Sequence, residues 1–212
     1  MKADSFILEN ILEHRMKKFL ENEKERNDID AVLMLENRLP WKIKTQSGAF
    51  DFTAGVDRVD KLSSGSLLVI DYKTGSAEMP KVHPVRDRSP LGDRKLVLTD
   101  YISNGVNLDE LKFCREEIKN SVKSFQLPIY IWACREHFKA QDVNAALYLL
   151  RTCEIKQYLQ KSTPQKKEEN LDACHKELSF ILDEIVNPEV DFAADEDAEH
   201  KCAYCPYSSL CR

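Results

Sequence analysis

The chain has 212 residues, 42% of them hydrophobic, and carries 31 Lys and Arg against 36 Asp and Glu for a net charge of -5. That much apolar chain suffices for one full core, so a single domain with at most a small appendage is expected. The acidic balance excludes a protein that grips nucleic acid by bulk positive charge alone, and no apolar run approaches the ~18 to 20 residues of a membrane span. With no signal-peptide core at the N-terminus either, a cytoplasmic protein without a membrane partner is expected.

"SFILENILEHRMKKFLENEKER" places apolar residues at helical spacing behind Ser5 as a cap, which predicts a helix over about 5–25. "AVLMLENRLPWKIKTQSG" suggests a strand, a break at Pro40 and a second short strand. "FDFTAGVDRVDKL" and "SLLVIDYKT" then form a hairpin around "SSGS". Residues 76–106 are rich in proline, glycine and charge without periodicity and suit an irregular insertion. Helical patterning resumes over about 107–139, "VNAALYLLRT" suits a buried strand, and Thr163 with Pro164 opens a charged amphipathic helix. The expected organisation is a core over residues 1–187 and an acidic linker with a cysteine motif over 188–212. The element order implies an α/β or α+β sheet flanked by helices.

Charge is unevenly spread along this order. Residues 81–95 hold Lys81, Arg86, Arg88, Arg94 and Lys95 against two acids, a candidate contact for a phosphate backbone that a solvated loop would explain equally well. Residues 183–199 hold eight acids and no Lys or Arg.

The hairpin carries the chemistry. A turn centred on Ser64 pairs Val59 with Val69, Asp57 with Asp71 and Gly55 with Lys73. Alternation along the strand then sets Val69, Asp71 and Lys73 on one face and Leu68, Ile70 and Tyr72 on the other. Directly opposed carboxylates destabilise a sheet, and carboxylates leaving water need a partner. A hard divalent cation, Mg²⁺ or Mn²⁺, is such a partner, and water bound to it is a nucleophile suited to phosphodiesters. Lys73 would orient or deprotonate that water, or stabilise transition-state charge. Plain salt bridges on a solvated strand are the bland alternative.

These residues resemble the active-site core of the PD-(D/E)XK nuclease superfamily. "GVDRVD" followed by "VIDYKTG" is similar to its RecB-type branch, with Val56 where the superfamily pattern has proline. The resemblance implies a restriction-endonuclease-like α/β fold, a central mixed β-sheet flanked by helices. It implies Asp57 and Asp71 as metal ligands, the Tyr72 carbonyl as a backbone ligand and Lys73 as the catalytic lysine. "QLPIY" is similar to the branch's Gln-x-x-x-Tyr helix, which implies that Gln126 and Tyr130, on one helix face, lie beside the active site. "NILEH" offers His14 as the branch's histidine metal ligand, with Asn10 where glycine is usual; by periodicity His14 sits at the edge of the stripe containing Ile7 and Ile11.

The last segment, "CAYCPYSSLC", sets three soft thiolates, Cys202, Cys205 and Cys211, within ten residues, a spacing for a metal or cluster rather than a disulfide. It resembles the C-terminal clamp of the branch's iron–sulfur nucleases, AddB-like domains among them, which implies a [4Fe-4S] cluster whose fourth ligand is not identified here. A Cys₃His zinc site completed by His200 is the alternative. The resemblance as a whole implies a Mg²⁺- or Mn²⁺-dependent deoxyribonuclease, an exonuclease by preference, acting on single-stranded DNA or duplex ends in repair, with a helicase domain or subunit as partner. Two rivals are a catalytically silent nuclease fold that binds DNA or a partner, and a zinc-binding interaction domain.

Overall fold

The computed structural model describes residues 2–75, 77, 79, 115, 116, 118, 119, 122, 124–160, 162–190, 205 and 206, with backbone alone over 2–8. Helix α1 (Lys2–Glu25) precedes three strands, β1 (Ile29–Lys44), β2 (Ala49–Leu62) and β3 (Leu67–Lys73). Then follow α2 (Gln126–Phe138), β4 (Val143–Leu149), β5 (Glu154–Gln157) and α3 (Pro164–Ile185). The strands form one sheet in the order β1-β2-β3-β4-β5, antiparallel except between β3 and β4. A parallel pair needs a crossover, and α2 lies within the connection that supplies it. The expected mixed sheet flanked by helices is therefore present.

The hairpin register agrees with a turn centred on Ser64: Val59 faces Val69 and Arg58 faces Ile70. Gly65 closes the turn at φ 86°, a left-handed conformation that disfavours residues bearing a Cβ, and its N–H donates to the Leu62 carbonyl. Leu67 to Ile70 and the whole of β4 are buried because helices cover both sides of these central strands. On one side α2 and α3 supply Leu127, Tyr130, Ile131, Cys134, Leu171 and Leu178 to a core with Val59, Val69 and Leu147. On the other, Phe19 of α1 packs on Leu68, Ile70, Ala146 and Tyr148.

The expected break at Pro40 is absent, since β1 runs through it with Pro40 opposite Thr53. β1 is an edge strand with one neighbour, so a residue lacking an N–H is tolerated there. Thr163 and Pro164 start α3 as expected, the threonine hydroxyl accepting from the Lys166 N–H. β5 was not anticipated: four residues show no periodicity. Of the insertion at 76–106 only Ala77 and Met79 are described, and of the cysteine motif only Cys205, a half-exposed free thiol, and Pro206. The basic run at 81–95, His200, Cys202 and Cys211 lie outside the described residues.

Candidate functional site

Asp57 is where the sheet ladder opens. The pairs of β2 with β3 end at Arg58 and Ile70, and those with β1 pass from Leu35–Arg58 to Asn37–Val56, beside Glu36 at φ 45°. With no ladder partner on either side, Asp57 turns its carboxylate to the strand itself, and Oδ2 accepts the Tyr72 N–H at 2.7 Å. At Gly55, two residues before Asp57, an added Cβ would meet nothing within 4 Å among the described residues.

Asp71 is 5% exposed and is held from α2. Gln126 Nε2 donates to its Oδ1 at 3.0 Å and also reaches the Tyr130 hydroxyl at 2.7 Å, while the Tyr130 hydroxyl lies 3.4 Å from the same carboxylate oxygen. The four-residue spacing of a helix makes this possible, since Gln126 and Tyr130 stand one turn apart on the face toward β3. Burial, then the negative charges of Asp71 and Asp57, push the Tyr130 phenol up against the opposing Gln126 bond, so it keeps its proton and serves as a donor. The Asp57 bond to the N–H of Tyr72, the residue after Asp71, sets both carboxylates at the same end of the sheet.

The other oxygen of Asp71 is unfinished. Lys73 Nζ approaches Oδ2 at 2.6 Å, yet that buried oxygen has no hydrogen bond of acceptable angle among the described residues. The ammonium therefore neutralises the carboxylate as a close ion pair and leaves Oδ2 room for a further ligand. A buried acceptor in that state, beside a second carboxylate, fits a divalent cation with oxygen preference. Among the described residues no three His, Cys, Asp or Glu side chains converge, so a metal here would draw further ligands from backbone carbonyls and water.

The structure thus gathers Asp57, Asp71, Lys73, Gln126 and Tyr130. His14 stands exposed on α1, and no hydrogen bond or ion pair among the described residues joins it to the carboxylates. Tyr72 points its ring to the reverse face, against Phe19 and Tyr148 at centroid distances of 5.9 and 5.6 Å.

That reverse face carries a buried ion network that sequence reasoning missed. Arg58, next to Asp57, bonds Asp60 through Nε, Glu23 of α1 through one terminal nitrogen and the Tyr72 hydroxyl at 3.3 Å. Arg26 reaches the other oxygen of Asp60 at 3.1 Å. These carboxylates and hydrogen bonds outweigh burial and hold the Arg58 guanidinium firmly charged. The signal available was the alternation of Arg58 and Asp60 on one strand face, which reads equally as a solvated surface.

A family model described as the PD-(D/E)XK nuclease superfamily matches residues 3–90 and 93–212. No curated protein matches the chain. Among solved structures, the crystal structure of SSO0001 aligns at 15% identity with a TM-score of 0.37, covering 99% of this chain and 71% of that one.

Proposed function

Because the chain belongs to the PD-(D/E)XK nuclease superfamily, we propose that it is a metal-dependent deoxyribonuclease of the RecB type whose active site is the β2–β3 end described above. The observation that carries this is Asp71: a buried carboxylate with one oxygen fixed by Gln126 and Tyr130 and the other ion-paired to Lys73 at 2.6 Å with no hydrogen bond among the described residues. Asp71, Asp57 and the Tyr72 carbonyl would hold Mg²⁺ or Mn²⁺, with His14 as a further ligand. Such an ion, when bound, supplies a Lewis acid and lowers the pKa of water at the site.

The chain's own groups do the rest. Gln126 and Tyr130 fix the plane of the Asp71 carboxylate, so that Oδ2 is aimed rather than free to rotate. The Lys73 ammonium, half-exposed and paired to Asp71, would offset negative charge that builds on a phosphate held beside the carboxylates during attack. The Tyr72 N–H holds Asp57 in place without spending either oxygen of Asp71. DNA, as single strands or duplex ends, is the proposed substrate, exonucleolytic cutting in repair the proposed action and a helicase the proposed partner.

The test is to incubate single- and double-stranded DNA with the protein and Mn²⁺, beside Lys73→Ala and Asp71→Asn. Wild type should cut, and each variant should lose at least about a hundredfold in rate while still binding DNA. A wild type that binds DNA and cuts nothing would defeat the catalytic reading; variants that cut as fast as wild type would defeat the site assignment.

Cys202, Cys205 and Cys211 are the proposed ligands of a [4Fe-4S] cluster, supported by their spacing alone. Anaerobically purified protein should contain iron and acid-labile sulfide. Stoichiometric zinc without iron would replace the cluster with a Cys₃His site.

A further inference from the structure

The strand end that carries Asp71 and Lys73 also borders a cavity of about 400 Å³ on its reverse side, lined among others by Arg15, Met16, Phe19, Tyr72, Thr74 and Arg151. Tyr72 and Thr74 flank Lys73 in sequence and both line the cavity, and alternation puts the Tyr72 side chain on the opposite side of the strand from Asp71 and Lys73. The Lys73 carbonyl accepts the Leu150 N–H at 2.9 Å, which ties the β4 end of the cavity to the same residue. Cavity and carboxylates thus share one strand end, which they approach from its two sides.

The chemistry of the cavity is divided. Its walls are apolar and aromatic, with the Phe19 and Tyr72 rings packed edge to face at 76°. Its cations are Arg15 and Arg151, neither held in an ion pair among the described residues; the exposed Arg38 is likewise without one, whereas Arg26, Arg58, Arg115 and Arg135 each have a carboxylate partner. Two guanidiniums with no carboxylate partner among the described residues serve no purely apolar occupant. They do suit a ligand that is anionic at one side and flat and weakly polar at the other, which describes a nucleotide within a strand.

We propose that this cavity is a subsite for one nucleotide of a single-stranded stretch of substrate, adjacent to the scissile phosphate, with its base among Met16, Phe19 and Tyr72 and its phosphates on Arg15 and Arg151. It rests on the nuclease reading and specifies the strand that reading leaves open. A single strand can bend around the end of β3 from the carboxylates into the cavity, whereas a continuous duplex is too broad to enter it.

The experiment measures binding of a labelled single-stranded oligonucleotide to the whole chain in EDTA, from about 50 to about 300 mM salt. The Arg15→Gln/Arg151→Gln double variant should bind about tenfold more weakly, and its salt dependence should be shallower by about 1.4 in log–log slope, about 0.7 for each lost phosphate contact. In cleavage assays with Mn²⁺ its KM for the strand should rise. An oligonucleotide with one abasic position beside the cut should bind wild type several-fold more weakly than the intact strand, and Met16→Trp, which fills the cavity, should erase that difference. Unchanged affinity and slope in the double variant, in a wild type that binds and cuts, would overturn the subsite and leave the nuclease reading standing. A wild type that neither binds nor cuts would overturn both.

Discussion

Replacing Arg58 by methionine should destabilise the protein by about 3 kcal/mol. The Arg58 side chain is 8% exposed and that of its partner Asp60 is 0% exposed, so the pair is removed from solvent screening. Breaking such a pair from one side costs about 3 to 5 kcal/mol, because the remaining charge stays buried. Here Arg26 remains 3.1 Å from Asp60 and 3.8 Å from Glu23, which places the expected value at the lower end of that range. Methionine replaces the aliphatic stem, so little cavity is added. For a chain of this size the melting temperature should fall by about 6 to 12 °C. Urea unfolding of Arg58→Met, Asp60→Asn and the double variant gives the coupling directly: neutralising Asp60 should restore about 1 kcal/mol or more in the Arg58→Met background. A loss below about 1 kcal/mol on Arg58→Met, or strict additivity of the two changes, would refute the network as a source of stability.

Gln126→Leu removes two hydrogen bonds from the Asp71–Tyr130 group and leaves Tyr130 alone at 3.4 Å from the carboxylate. The cleavage rate should fall about 10- to 100-fold with a raised Mn²⁺ requirement, at a stability loss of no more than about 1.5 kcal/mol; an unchanged Mn²⁺ titration would count against its positioning role. Burial pushes the Cys134 thiol up to about 12 and the Cys174 thiol up to about 11, from an ordinary 9.0. Both therefore keep their protons in the folded chain where the unfolded chain loses them, so their contribution is complete below about pH 9 and declines as pH rises toward the folded values. At pH 10 the decline should be about 1.4 kcal/mol per thiol, read from urea midpoints, and Cys134→Ala with Cys174→Ala should flatten the profile; a wild-type midpoint that is level between about pH 8 and 10 would contradict it.

The β2–β3 hairpin was legible because its information is local. A short turn fixes register, register fixes which residues face one another, and alternation fixes the face, so Asp57, Asp71 and Lys73 could be grouped before any fold was known. Gln126 and Tyr130 were legible as a pair through helical spacing, but their distance to Asp71 is a tertiary fact, since 55 positions separate Gln126 from it. The Arg58 network was illegible for the same reason: Glu23 and Arg26 meet Arg58 and Asp60 only when α1 is laid on the sheet. Pro40 misled because a propensity against strands is weak at an edge, and whether β1 is an edge is decided by the order of strands rather than by its own residues.

The opposed aspartates show how the fold handles a conflict that its own register creates. Continued by one step beyond Arg58 and Ile70, the ladder would set Asp57 against Asp71 and repel. Instead the ladder stops there, and each carboxylate takes partners from a different source: Asp57 from the Tyr72 backbone, Asp71 from α2 and from Lys73. Each of these contacts fixes an orientation, and together they leave one buried oxygen of Asp71 without a hydrogen bond among the described residues. A purely structural solution had a simpler form available, since an asparagine at either position would remove the repulsion while keeping an acceptor for the same donors. Retaining two charges, rigidly aimed and incompletely satisfied, is intelligible where a cation completes them. The reverse face makes the complementary point, because there the same two strands bury Arg58 with Asp60 and every charge in the pair meets an opposite one. On that face too one buried acceptor, Glu23 Oε1, lacks a hydrogen bond among the described residues, so what sets the Asp57–Asp71 group apart is the gathering of two carboxylates at one strand end rather than an unsatisfied oxygen alone.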